Sequence, residues 1–454
     1  MGDLISSNSK PGANEKKSLN NGISNDVIVV GGVRSSSPRI TPLAMDALPD
    51  EVRSCIDRLP ADSFKNKYSP VNVIGTVARS SEVSASLIDH YVQCRELISL
   101  SHREQELIIL RMAVHYRSEY VWKHHVVIGS EFGITKTECE ALQKLSCCNS
   151  TTTASTTLGT LSDRETALIA MIDDLVITRT ISNSTWESCN AFFAESEIID
   201  IILLVSHYTF FSLVNNSLCV DVEPVFNDIQ GLTQSLEGDY SENHAAVVGG
   251  VCSSIPRMTP LAMDALPEQV LLSLDRLPAD SFKNKFAPVN VIGTIAKSSE
   301  AAASFLNHWV SSKKMMSPTN REQELVILRM AVHYRSEYVW KHHVLIGSEF
   351  GITKTECEAL QKVPYYRSTI TPDTLSGREN ALIALTDDLV TARTVTNSTW
   401  ESCNAFFEDS EIIDIILIVS HYVFFSLVNN AMCVEVEPAL NDIPGLGWPS
   451  LAEQ

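Results

Sequence analysis

Apolar and polar positions along this chain follow the period of an α-helix rather than that of a strand. In 103–128, Leu107, Leu110, Val114 and Val121 recur at helical spacing and form one apolar stripe. Helix-start signals punctuate the chain at short intervals. Ser101…Glu104, Thr135…Glu138, Ser162…Glu165 and Ser184…Glu187 read as capping boxes. Thr319…Glu322, Thr353…Glu356, Ser376…Glu379 and Ser398…Glu401 repeat them later. Thr41-Pro42 and Thr259-Pro260 supply further candidate N-caps, and Gly133 and Gly351 sit where a helix should stop before the next cap. No alternating stretch flanked by hairpin signals competes, and VIVVGGV (27–33) is the one β-like piece. The pattern predicts an all-α fold.

The pattern is also written twice. Residues 103–144 recur at 321–362 with only Ile108/Val326 and Val127/Leu345 exchanged, so 40 of 42 positions are identical. The twelve residues just upstream, 91–102 against 309–320, share only two. Duplication gives both windows one age, so the contrast has a cause: constraint on the longer window, which we favour, or later sequence exchange that homogenised the copies. The expected organisation is a disordered tail (1–28), a first unit (29–228), a linker (229–246), a second unit (247–442) and a short tail (443–454), with a core in each unit.

Composition narrows the function classes. A net charge of −20 argues against a nucleic-acid partner, which needs a basic surface. The longest apolar run, 198–211, contains Asp200 and His207, so no membrane span is expected. Eleven cysteines without a C-x-x-C pair or a signal peptide suggest free, mostly buried thiols in a reducing, cytoplasmic setting.

The repeated stretch carries a dense set of ionisable and aromatic groups. His115, Glu119 and Trp122 fall at i, i+4 and i+7, with Arg111 one turn earlier and Tyr120, His124 and His125 beside them. One of the adjacent pair His124/His125 should face solvent. His207/His421 and Asn216/Asn430 lie on apolar helices and read as core or pocket-lining, while Trp186/Trp400 and the Phe-Phe pairs read as core. His115, Glu119 and His125 lack any H-E-x-x-H framework, so no metal is expected on them. Glu106 and His125 are nineteen residues apart, about 28 Å along one straight helix, and nothing in 103–128 is Gly or Pro. The residues alone slightly favour one long helix; only a reversal at HYRS (115–118), with Ser118 capping the second piece, would let the two meet.

EYVWKHHVVIGSEFGITKTE (119–138) resembles the Y-x-W-x-x-H…G-[LI]-[ST]-x-x-E segment of the carboxymuconolactone decarboxylase and alkylhydroperoxidase D-like superfamily. SPVNVIGTVARSSEV and DIILLVSHYTFFSLVNNSLCVDVEP resemble its early segment and its closing helix, so the likeness spans about 38–224 and 256–438. It implies a bundle of about six helices per unit, sites near subunit contacts, and assembly as trimers or hexamers, here a homo-oligomer built as a trimer of pseudo-dimers. It also implies a kink bringing Glu106 to His125. The peroxidase branch carries a C-x-x-C between that Glu and His; Ser118 and Val121, and Ser336 and Val339, stand there instead. Thiol-dependent peroxide reduction is therefore not expected.

What the resemblance leaves is a cofactor-independent acid–base site for a small carboxylated lactone, β-keto acid or polyketide-like carbonyl compound. His125 and His343 are the expected proton-transfer residues, since histidine titrates near neutrality, and Glu106 and Glu324 would orient them. Glu119, Tyr120 and Trp122, with Glu337, Tyr338 and Trp340, would line the pocket. Arg111 and Arg329, or Lys65 and Lys283 from the second nearly unchanged segment (58–76 and 276–294), would meet a carboxylate. A non-catalytic scaffold and an antioxidant of the peroxidase branch are the alternatives.

Overall fold

A computed structural model describes residues 37–58, 71–80, 83–145, 159–232, 256–277, 289–362 and 374–446. Every regular element among them is helical. The first half contributes α1 (Asp50–Asp57), α2 (Asn72–Val77), α3 (Val83–Leu97), α4 (His102–Tyr116), α5 (Glu119–Glu131), α6 (Lys136–Lys144), α7 (Asp163–Ile177), α8 (Asn183–Asn190) and α9 (Glu195–Ser217). The second half repeats the order as α10 (Glu268–Asp275), α11 (Asn290–Ile295), α12 (Ser299–Met315), α13 (Asn320–Tyr334), α14 (Glu337–Glu349), α15 (Lys354–Lys362), α16 (Gly377–Thr391), α17 (Asn397–Asn404) and α18 (Asp409–Met432). Nine helices are thus described in each half where six were expected; in each, six run nine residues or more and three are shorter. The β-like 27–33 lies outside the described residues.

The caps explain where most of these helices start. Ser101, Thr135, Ser162, Thr319 and Ser376 close reciprocal capping boxes with the glutamate three residues on, each satisfying two backbone N–H groups that a helix start leaves open. Thr353 and Glu356 make the same exchange. Two expected boxes are replaced by caps two residues earlier: α8 and α17 are capped by Ser182 and Thr396, which accept from Thr185 and Thr399. Thr41 and Thr259 cap nothing, because α1 and α10 begin after Pro49 and Pro267. Gly133 and Gly351 do stop their helices, at φ of 80° and 81°, a left-handed conformation that costs glycine no Cβ clash.

In each half α4 or α13 is the central helix, buried from Glu104 to Tyr116 and from Glu322 to Tyr334. The apolar stripe is therefore only part of its contact surface: helices cover it on all sides. The halves do not keep separate cores. Buried apolar side chains from Ile40 to Leu446 form one connected cluster, with α9 packed along α18 and α3 along α12. Both α9 and α18 are long and apolar enough to cross a bilayer by length and composition, correcting the expectation of no such segment, and 94% of each apolar window is buried inside the fold. Asp200 and His207 did not end the run, because each finds a partner across the halves or within the core.

The junction is reciprocal. Asn216 Nδ2 donates to Tyr116 O (2.7 Å) and Arg393 O (3.2 Å), and Asn430 Nδ2 donates to Tyr334 O (2.7 Å) and Arg179 O (3.1 Å). Arg393 donates to His115 O and Arg179 to His333 O. Arg39 spans Ser217 O, Val395 O and Asn397, as Arg257 spans Ala431 O, Ile181 O and Asn183. Trp186 and Trp400, expected in the core, are instead half-buried beneath Arg257 and Arg39. Phe192 and Phe406 are exposed, whereas Phe193 and Phe407 are buried.

Candidate active site

The long helix favoured by the residues is broken. Arg117 takes φ 49° and ψ 38°, left-handed backbone that ends α4, and Ser118 starts α5 without a side-chain cap bond. The carbonyls orphaned at the end of α4 are met by Arg393 and Asn216 from across the junction, so the turn needs no glycine. Arg335 and Ser336 repeat it, with Arg179 and Asn430 as the cap.

That reversal brings the two distant residues together. His125 Nδ1 lies 2.7 Å from Glu106 Oε2, and His343 Nδ1 lies 2.6 Å from Glu324 Oε2. All four side chains are buried, so the carboxylate fixes the ring and leaves Nε2 as the free edge. Burial lowers both imidazole pKa values, and the facing glutamate opposes the shift only in part. For Glu106, burial pushes the pKa up, but His125 and Arg95 together carry it below the ordinary value.

Around this shared pair the halves differ. In the first, Arg95 Nη2 sits 2.8 Å from Glu106 Oε1, so both carboxylate oxygens are engaged. Tyr208 hydroxyl stands 3.2 Å from His125 Nε2 and 2.7 Å from Tyr91 hydroxyl, which closes the ring's second edge. In the second half Tyr91 and Arg95 become Trp309 and Lys313. Tyr422 meets His343 edge-on, ring centroids 5.0 Å apart, and His343 Nε2 makes no hydrogen bond among the described residues. It opens on a cavity of about 50 Å³, whose walls include Trp309, Lys313, Tyr338, His343, Tyr422 and Phe425. Lys313 has no ion pair among the described residues; its ammonium lies 5.1 Å from the Trp309 ring centre, and burial lowers its pKa against the pull of Glu324. An apolar cavity with a few converging polar groups is the usual form of a small-ligand site.

Other expected site residues go elsewhere. Arg111 and Arg329 are fully buried and bidentate to Asp173 and Asp387, with a further bond each to a backbone carbonyl, so they cannot meet a substrate. His115 and His333 join the same carboxylates at 2.7 and 2.6 Å, away from Glu119 and Glu337. The break in the helix is what separates them. Glu119 accepts from Leu232 N and Trp122 Nε1 donates to Gln230 O, so both hold the segment after α9, the start of the expected linker. Glu337 and Trp340 do the same with Leu446 N and Pro444 O. Tyr120 and Tyr338 donate to Glu223 and Glu437, which also pair with His124 and His342; neither member of the 124/125 pair faces solvent. Lys65 and Lys283 lie outside the described residues, as do Cys147 and Cys148.

Sequence reasoning missed Arg95/Lys313 and Tyr208/Tyr422. The only signal for the first pair was a cationic position kept inside the divergent window; the tyrosines are hidden in continuous apolar helices. The eight described cysteines are buried and none is in a disulfide, and Ser118 precedes the helix whose first turn holds Val121. No family model matches the chain, and no curated protein matches it either.

Proposed function

We propose that this chain is an acid–base enzyme of the carboxymuconolactone decarboxylase kind, acting on a small carboxylated lactone, β-keto acid or related carbonyl compound. The observation that carries the reading is His343: one nitrogen is held by Glu324, and the other edge opens on an apolar cavity that also holds the cation of Lys313. The substrate carboxylate would dock on Lys313. Loss of carbon dioxide leaves an electron pair on the adjacent carbon as an enolate, and protonated His343 Nε2 delivers a proton to that carbon. Glu324 steadies the imidazolium before transfer and fixes its tautomer afterwards. The reacting centre needs no cofactor for this sequence.

The test is turnover of carboxylated lactones and β-keto acids by the whole chain without added thiol, following carbon dioxide and lactone absorbance together. Carbon dioxide release that disappears in His343→Ala supports the reading. Lactone loss without carbon dioxide moves it to a hydrolase or isomerase, and no turnover of the panel by folded protein counts against it.

A further inference from the structure

A second cluster of ligand-capable side chains lies outside this site, at the junction of α3 and α9. His90 and Cys94 are four residues apart on α3 and so share a face, and His207 of α9 meets them there. One ligand atom from each lies within 4.8 Å of the others, and all three residues are buried. The two Nε2 atoms face each other at 2.8 Å. His90 Nδ1 is held at 2.8 Å by Ser304 Oγ from the other half; with Nδ1–H donating to that hydroxyl, the ring is fixed with its Nε2 lone pair pointing inward, as a metal-ligating histidine is oriented by the hydrogen bond at its other nitrogen. His207 Nδ1 is buried without a hydrogen-bond partner.

We infer that His90, Cys94 and His207 bind one divalent cation of the zinc class. Imidazole nitrogen and thiolate are both zinc ligand types, and a water from the adjoining cavity between the halves can complete a tetrahedron. Zinc–nitrogen bonds of about 2.0–2.1 Å need the two facing nitrogens to part to about 3.3 Å, a small rotation of either ring. Ligation takes the Cys94 sulfur as thiolate, a form that a bound cation favours. The second half supplies a natural contrast. His308 and His421 face each other at 3.1 Å, and Ser86 Oγ holds His308 Nδ1, but Ser312 stands where Cys94 does. Without a thiolate to supply charge, that pair does not make an equivalent site. The cation staples α3 to α9 beside Tyr91 and Tyr208, which follow His90 and His207 in sequence.

The test titrates chelator-treated full chain with cobalt(II), and measures zinc content and competition against a chromophoric chelator. The expected result is one ion per chain, with a near-ultraviolet thiolate-to-cobalt band. Cys94→Ser, which copies the serine at position 312 and so keeps a tolerated side chain, should lose that band and weaken zinc binding roughly 100-fold. His421→Gln should leave both unchanged. The inference is overturned by the absence of saturable binding, by a band that survives Cys94→Ser, or by equal loss in His421→Gln. None of these outcomes bears on carbon dioxide release.

Discussion

Tyr208 places its hydroxyl 3.2 Å from His125 Nε2, whereas Tyr422 offers His343 only the edge of its ring. One histidine is hydrogen-bonded at both nitrogens and the other at one. Sites built on nearly identical sequence are thereby unequal, and the difference comes from helices that the conserved stretch does not include.

His343→Ala should lower carbon dioxide release by about 100-fold or more, the usual share of a positioned proton-transfer residue, while His125→Ala keeps most of it. Steady-state kinetics of the two single variants decide this. Equal losses would show the two sites to be equivalent and would remove the asymmetry argued above.

Lys313→Met should raise KM for carboxylated substrates about tenfold or more, with Lys313→Arg recovering much of the loss. Esters of the same substrates should feel neither change. An unaltered KM in Lys313→Met would place the substrate carboxylate elsewhere.

The pH profile of kcat should fall on the alkaline side at a value below 6.5, because burial lowers the His343 pKa and the donor form exists only below it. Glu324 raises that value, while Lys313 and His342 lower it. Removing the Lys313 charge in Lys313→Met should therefore move the limb upward. A limb that stays in place would mean a different group delivers the proton.

Asp173→Asn should destabilise the fold by about 3 kcal/mol, since it leaves the fully buried Arg111 guanidinium without its carboxylate. Burial pushes the Asp173 pKa up, but Arg111 and His115 overcome it and hold it at about 2, against an ordinary 3.8. A folded value below the unfolded one stabilises fully above 3.8 and is lost as pH falls towards 2. Urea titrations should show this loss in the wild-type chain and not in the variant.

Arg179→Ala strips the cap from His333 O in the second half, and Arg393→Ala strips it from His115 O in the first. Each should cost about 1–3 kcal/mol by leaving a buried carbonyl unpaired. Only Arg179→Ala should also lower turnover, because it loosens the turn that carries His343. Thermal melts and kinetics on the two variants together separate the effects.

The helical class and most helix starts were legible because caps are local: Ser101 and Glu104 sit three residues apart and satisfy each other. The Glu106–His125 meeting was legible only through resemblance, since the turn at Arg117 is stabilised by residues almost three hundred positions away and shows no local signal. Arg111 was misplaced for a related reason. A cation on a helix reads as exposed until Asp173, on another helix, is known to face it. Glu119 and Trp122 fell on the expected helical face, but the break turned that face towards the segment after α9.

The crossed capping by Arg179 and Arg393 has a consequence for the fused chain. Each copy completes the other's turn, so a unit standing alone would leave the end of its central helix uncapped unless a second copy supplied the arginine in trans. Fusion makes that second copy always present, and positions that no cross-bond depends on, such as Tyr91/Trp309 and Arg95/Lys313, differ between the halves.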